Sequence, residues 1–225
     1  MTITGASPRL VPGLAVLAGT HDDRARTARF LDGAVDALAM RGYPRARVEV
    51  TRTTGCFVDL AVRVELGTRY TIGRIEFQTD DDFPARERLA AIEDGLGTVN
   101  VVGGVYIDYR LERGLAALER RYRDAGWLEV EIDRPQALFR GGEVELVVPI
   151  HAGARFRVAK VRARGDDAAA RKAILAELRD RAGAWYDGPA IRSAIARARR
   201  KVDREIALRT TTTDDGEVVL EAVMP

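Results

Sequence analysis

The chain has a single cysteine, Cys56. An intrachain disulfide is therefore excluded, and so is a metal site built on several cysteines. Histidine is almost as scarce: His21 and His151 lie far apart and bring no metal-ligand spacing. Lysine occurs only at Lys160, Lys172 and Lys201, so nearly all positive charge is arginine. Charge of one sign is also missing: 36 basic against 34 acidic residues leave +2, too little for a field that draws in nucleic acid. No apolar run approaches the roughly 18 residues that a helix needs to span a bilayer. Met1-Thr-Ile-Thr-Gly5 has neither the basic region nor the apolar stretch of a secretory signal. That leaves a cytoplasmic protein or a fragment from which the signal is missing. A Gly-rich phosphate loop, a nucleophile elbow and zinc spacing are absent too, so no enzyme and no cofactor are expected.

What is present is patterned. With 46% hydrophobic and 31% charged residues the chain is globular rather than disordered. Val58, Leu60, Val62, Val64 and Leu66 alternate, with Asp59, Arg63 and Glu65 between them, which predicts a strand buried on one face. Upstream, Ser7-Pro8 reads as a helix start, with Pro12, Gly13 and Gly19 making that helix short or irregular. Asp22 or Asp23 can cap a second helix carrying Leu31, Ala34, Val35 and Leu38, and Gly42 ends it. A strand over Arg45–Arg52 and the turn Thr53-Thr54-Gly55 follow.

The same order of parts then recurs. Tyr70 and Ile72 share a face, the apolar phase shifts, and Ile75 and Phe77 continue. Asp80-Asp81-Asp82 and Pro84 introduce a helix, where acids suit the positive end. A further helix bears Leu111, Leu115, Leu118 and Tyr122, and ends at Gly126-Trp127. Leu128, Val130 and Ile132 alternate, and after the Gly141-Gly142 turn so do Val144, Leu146, Val148 and Ile150. Some 86 residues beyond Gly67 and Tyr70 come Gly153 and Phe156, and the phase shift returns with Val158, then Val161 and Ala163. Two helices, with Asp187 capping the second, a strand over Ile206–Thr213, the Asp214-Asp215-Gly216 turn and the alternation Val218, Leu220, Ala222 complete a third round.

These periods predict an α+β fold of tandem β-α-α-β-β modules. Each is a three-stranded mixed sheet covered on one face by two helices. The first and last strands of a module must be parallel if they pair. The middle strand is then free to lie at an edge.

The module resembles the POTRA (polypeptide-transport-associated) domain. Tyr122-Arg-Asp-Ala-Gly126-Trp127 with Gly153-Ala-Arg-Phe156, and Met40-Arg-Gly42-Tyr43 with Gly67-Thr-Arg-Tyr70, carry the resemblance. Gly5 and Gly165 stand where the family ends its first strands. Segment three has Ile206-Ala207 where segment two has Gly126-Trp127. The implied modules are 1–68, 69–154 and 155–225. The resemblance implies the periplasmic arm of an outer-membrane barrel protein of the BamA and TamA type, cut away from its signal and barrel. Implied partners are unfolded outer-membrane proteins and periplasmic or outer-membrane assembly partners, not nucleic acid. The other readings are a POTRA arm of a two-partner secretion transporter, and a cytoplasmic α/β repeat protein that binds nucleic acid or is an enzyme of another kind.

The candidate site is the edge strands. Leu128, Glu129, Val130, Glu131, Ile132 and Asp133, and also Val48, Glu49 and Val50, offer backbone groups to an extended client by β-augmentation. The competing reading is a solvated edge guarded by charge. Gly67, Tyr70, Gly153 and Phe156 are the candidate inter-module link. Arg197, Arg199 and Arg200 form a candidate basic face for anionic lipid or an acidic partner, against a solvated helix face laced with ion pairs.

Overall fold

The computed structural model describes residues 2–7, 9–11, 23–56, 58–213 and 215–224. The helix expected from Ser7-Pro8 falls almost wholly outside them, as does His21. The chain packs as two compact units, one of residues 1–76, 92–115 and 135–148, the other of 77–91, 116–134 and 149–225.

In the first unit, β1 (Thr2–Thr4), β2 (Arg47–Thr54) and β3 (Val58–Glu65) form a sheet of order β1-β3-β2. β1 runs parallel to β3 with Ile3 opposite Val62, and β2 runs antiparallel with Val50 opposite the same residue. The alternation of β3 buries Val62 and Val64 and turns Arg63 and Glu65 outward, where they form an ion pair at 3.2 Å. Helix α1 (Arg24–Ala39) begins at Asp23, whose carboxylate accepts the Arg26 N–H at 3.1 Å. Its face of Ala34 and Leu38 meets the two valines in one apolar cluster. Burying a side chain the size of Leu38 contributes about 1.5–3 kcal/mol. The strand expected over Arg45–Arg52 lies two residues further on.

The next elements are β4 (Thr71–Gln78), α2 (Ala85–Leu96), α3 (Asp108–Asp124), β5 (Glu131–Ile132), β6 (Gln136–Arg140) and β7 (Glu143–His151). Their sheet has the order β4-β7-β5, with β6 also pairing β7. One expectation is corrected here. The strand foreseen over Leu128–Asp133 shrinks to Glu131–Ile132, because Leu128 packs against the apolar cluster of the third segment and Val130 is buried. The ladder resumes only after Pro135, at Gln136. Asp81 stands just ahead of α2, where the three acids are expected. Its carboxylate turns inward, accepting the Phe83 N–H at 2.7 Å and pairing with Arg88.

In the second unit, β8 (Arg157–Arg164), β9 (Ala207–Thr212) and β10 (Glu217–Val223) form a sheet of order β8-β10-β9. β8 is parallel to β10 and β9 antiparallel to it. Val158 faces Val218 but Lys160 faces Val219, so Ala159 is an extra residue in β8. That β-bulge is the physical cause of the apolar phase shift. Helices α4 (Ala168–Leu178) and α5 (Gly188–Val202) start at Asp167 and Asp187, each capping with its carboxylate. Ile174, Leu178, Ile191 and Ile195 from the helices enclose one core with Phe156, Val158, Ile206, Val218 and Leu220.

The parallel first and last strands and the edge position of the middle strand are thus present in the first and third sheets. In the second, β5 and β6 share the edge role on β7.

Candidate functional site

The backbone edges come first. Within its sheet, β2 pairs only with β3, and Val48 and Val50 are half-buried while Glu49 is exposed. Among the described residues no strand lies on its outer side, where the backbone groups of an edge strand point away from its sheet. β9 is the corresponding edge of the third sheet. The edge expected from Leu128 to Asp133 is interrupted. Glu131 and Ile132 pair with His151 and Ile150, and Gln136–Arg140 pair with Val147–Glu143. Of the six residues named for that edge, Leu128, Glu129, Val130 and Asp133 stand outside any strand. Asp133 donates its N–H to Pro149 and pairs through its carboxylate with His151 at 3.2 Å.

Of the four link residues, Tyr70 and Phe156 are each tied to a glycine corner within their own unit, in a repeated arrangement. Gly42 and Gly126 have φ of 89° and 106°, a region that side chains disfavour, and each turns the chain at the end of a helix. The Tyr70 N–H donates to the Gly42 carbonyl at 2.9 Å, and the Phe156 N–H to the Gly126 carbonyl at 2.8 Å. Around each bond the same set repeats. Tyr106 donates to the Tyr70 carbonyl as Tyr186 does to Phe156, and Ile72 donates to Gly104 as Val158 does to Ala184.

The arginines of the link were not among the expected site residues, yet they hold it. Arg69 Nε donates to the Arg41 carbonyl at 3.1 Å, and Arg155 Nε to the Ala125 carbonyl at 3.0 Å. Both satisfy carbonyls at a helix end that would otherwise go unpaired. Their common position in Gly-x-Arg-aromatic was the available signal. Arg155 also lies between two indoles, 4.8 Å from the Trp127 ring and 5.2 Å from the Trp185 ring. Arg157 covers Trp185 at 4.1 Å. A bidentate pair, Arg192 to Asp124 at 2.7 and 2.8 Å, closes the same region. Beside it a cleft of about 500 Å³ is lined by Phe83, Arg155, Trp185 and Asp187 among others.

An unforeseen buried cluster lies nearby. Arg88 donates to the Tyr122 hydroxyl at 2.6 Å and to Asp81 at 2.7 Å, and Tyr122 donates to Asp81 at 2.9 Å. Thr79 is the fourth partner. Burial alone would raise the Asp81 pKa, but hydrogen bonds from Thr79, Arg88, the Phe83 N–H and Tyr122 hold it below its ordinary value. The Tyr122 hydroxyl is pushed up to about 12, mainly by burial. Phe83 and Trp127 pack on the Tyr122 ring at 4.5 and 5.7 Å. Such a closed network is suited to fixing the corner, not to chemistry.

On α5, Arg197 pairs with Glu177 at 2.8 Å and Lys201 shares that carboxylate, which holds Glu177 below its usual pKa. Arg199 donates to the Ile206 carbonyl at 2.5 Å, and Arg200 is exposed. The three arginines are therefore not one free cationic face. Among the described residues, no group of three His, Cys, Asp or Glu side chains is placed to hold a metal ion, and no helix is long and apolar enough to cross a membrane.

No protein-family model and no curated protein matches the sequence. Solved structures do match. POTRA domains 3–5 of BamA from Haemophilus influenzae align with a TM-score of 0.52 at 15% identity, over 99% of this chain and 93% of that one. The fold is that of POTRA domains. BamA from Haemophilus ducreyi lacking POTRA domains 1–3 aligns over 69% of this chain and 29% of its own, with a TM-score of 0.49 and 20% identity. POTRA 1–3 of the periplasmic domain of Omp85 from Anabaena aligns over 99% and 92%, with a TM-score of 0.45 and 14% identity. At such identities the likeness is one of fold, and function has to be argued from the POTRA edges and corners themselves.

Proposed function

We propose that the chain is a run of three POTRA modules, 1–68, 69–154 and 155–225, in the periplasmic arm of an outer-membrane barrel protein. The arm binds extended segments of unfolded outer-membrane clients, or of assembly partners, by β-augmentation. It performs no chemistry and needs no cofactor.

One observation supports this reading above the others. The strand that is second in sequence within each round lies at an edge: β2 beside β3, β9 beside β10, and β5 with β6 beside β7. Backbone groups at such an edge bind any extended chain without reading its sequence, which is what many different clients require. β2 is the best developed of these edges. It is eight residues long, and the exposed Glu49 and Thr51 alternate with the half-buried Val48, Val50 and Arg52. The link of Gly67, Tyr70, Gly153 and Phe156 serves geometry in this scheme. It ties each corner to the strand that follows.

The test is a titration of the isotopically labelled chain with unfolded segments of outer-membrane proteins. Amide shifts concentrated in Arg47–Thr54, Glu131–Arg140 and Ala207–Thr212 are expected. Shifts scattered over the helices, or none at millimolar peptide, would reject the binding role.

A further inference from the structure

The bulge at Ala159 has a consequence for the open side of the third sheet. Val158 points into the core, and the extra residue then puts Lys160, Arg162 and Arg164 on the face away from it, while Val161 and Ala163 pack against the core. The register completes a grid. Across the sheet its rows run Lys160–Val219–Thr211, Arg162–Glu221–Arg209 and Arg164–Val223–Ala207. Four cations thus surround one carboxylate, Glu221, which Arg164 pairs at 2.7 Å. Among the described residues, Lys160, Arg162 and Arg209 have no carboxylate within ion-pair distance, and all three are exposed.

β8 is also an edge. It borders β10 alone within the sheet. On the outer side only its start is covered: Arg157 bridges to Trp185, and Val158 exchanges backbone hydrogen bonds with Ala184 and Gly183. From Ala159 to Arg164 no strand lies outside it among the described residues.

We propose that Ala159–Arg164 is a second, charge-selective docking edge, and that its ligand is an extended polypeptide segment with carboxylates at alternate positions. Same-face residues of a strand are about 6.6 Å apart, and a neighbouring strand lies about 4.8 Å away. A strand added to β8 therefore sets every second side chain opposite Lys160, Arg162 and Arg164 in turn. Carboxylates at those positions form cross-strand pairs, and the two arginines can take theirs in bidentate fashion. The intervening side chains fall on the covered side of the sheet, beside Val161 and Ala163, where apolar residues fit. This edge differs from the middle-strand edges in both place and selectivity. It does not depend on the chain being part of a barrel protein. Anionic lipid would use the charges but not the backbone edge, so the acidic strand accounts for more of what is present.

The test uses the 225-residue chain and three synthetic peptides of alternating Val and Glu, Val and Gln, or Val and Lys. The Glu peptide is expected to bind and to shift amides of Ala159–Arg164 more than those of β9. The Gln peptide should bind about tenfold more weakly, as befits a few exposed ion pairs. A Lys160→Glu/Arg162→Glu variant, shown folded by circular dichroism, should exchange its preference for the Lys peptide. N-methylation of alternate Glu-peptide amides should abolish binding. Equal binding of the Glu and Gln peptides overturns the proposal, as does an unchanged preference in the variant. So does co-sedimentation with phosphatidylglycerol vesicles in the absence of Glu-peptide binding. Because the middle-strand edges are monitored in the same spectra, their failure and that of this edge are distinguishable.

Discussion

The backbone N–H of Phe156 donates to the carbonyl of Gly126 at 2.8 Å. That bond exists because Gly126 reaches a φ of 106°, which aims its carbonyl at the following link. A Cβ there would stand 3.0 Å from the Tyr186 carbonyl oxygen and 3.4 Å from Arg155 Cγ. Gly126→Ala should therefore cost at least about 1–3 kcal/mol in strain. Gly153 provides the control, since nothing lies within 4 Å of its would-be Cβ. At its φ of 68° an asparagine is tolerated, so Gly153→Asn should cost well under 1 kcal/mol. Urea midpoints compare the two, and hydrogen exchange at the Phe156 amide should accelerate in Gly126→Ala alone.

This corner was readable in the sequence because glycine has few other reasons to follow a helix and precede an aromatic. The phase shift in β8 was readable too, since a bulge moves every later side chain to the other face. What escaped has physical reasons. Leu128, Val130 and Ile132 alternate as a strand does, but alternation cannot tell a sheet face from burial against a neighbouring segment. Leu128 goes to the third segment's core, and only Glu131 and Ile132 remain in the ladder. Arg88 follows the same logic. A charged residue on an amphipathic helix reads as solvated, and its partners, Asp81 and Tyr122, are 7 and 34 residues away. Asp81 was hidden among three consecutive acids, where capping explains any of them equally well.

Arg88 is 7% exposed and bridges two buried acceptors. Arg88→Met leaves the Asp81 carboxylate buried without its cation. The expected loss is about 3–5 kcal/mol, the usual cost of breaking one side of a buried pair. Removing the charge on both sides, as in Arg88→Met with Asp81→Leu, should recover a large part of it. A double-mutant cycle in urea measures the coupling, and simple additivity of the two changes would contradict the network.

The two tryptophans report on the corner separately. Trp127 is 4% exposed and packs on Phe83 and Tyr122, whereas Trp185 is 42% exposed beneath Arg155 and Arg157. The emission left in Trp185→Phe should be blue-shifted and poorly quenched by acrylamide. That left in Trp127→Phe should be red-shifted and readily quenched. Similar quenching of both variants would mean that the corner is open.

The same cluster makes stability depend on pH at both ends of the scale. Burial opposes the Asp81 charge, but its hydrogen bonds prevail, and its folded pKa lies below the ordinary value of 3.8. A depressed acid adds stability above its unfolded pKa, and that stability is lost as pH falls through the folded pKa. The loss should begin just below about pH 4. Tyr122 works in the opposite sense: burial raises it from 10.0 to about 12. Its contribution is complete below pH 10 and declines as pH rises toward the folded value, because only the unfolded chain releases the proton. Asp81→Asn should flatten the acid slope, and Tyr122→Phe the alkaline one, each at some cost in stability at neutral pH. Urea midpoints from pH 2.5 to 11 read both slopes, and a wild-type alkaline slope that persists in Tyr122→Phe would place the titrating group elsewhere.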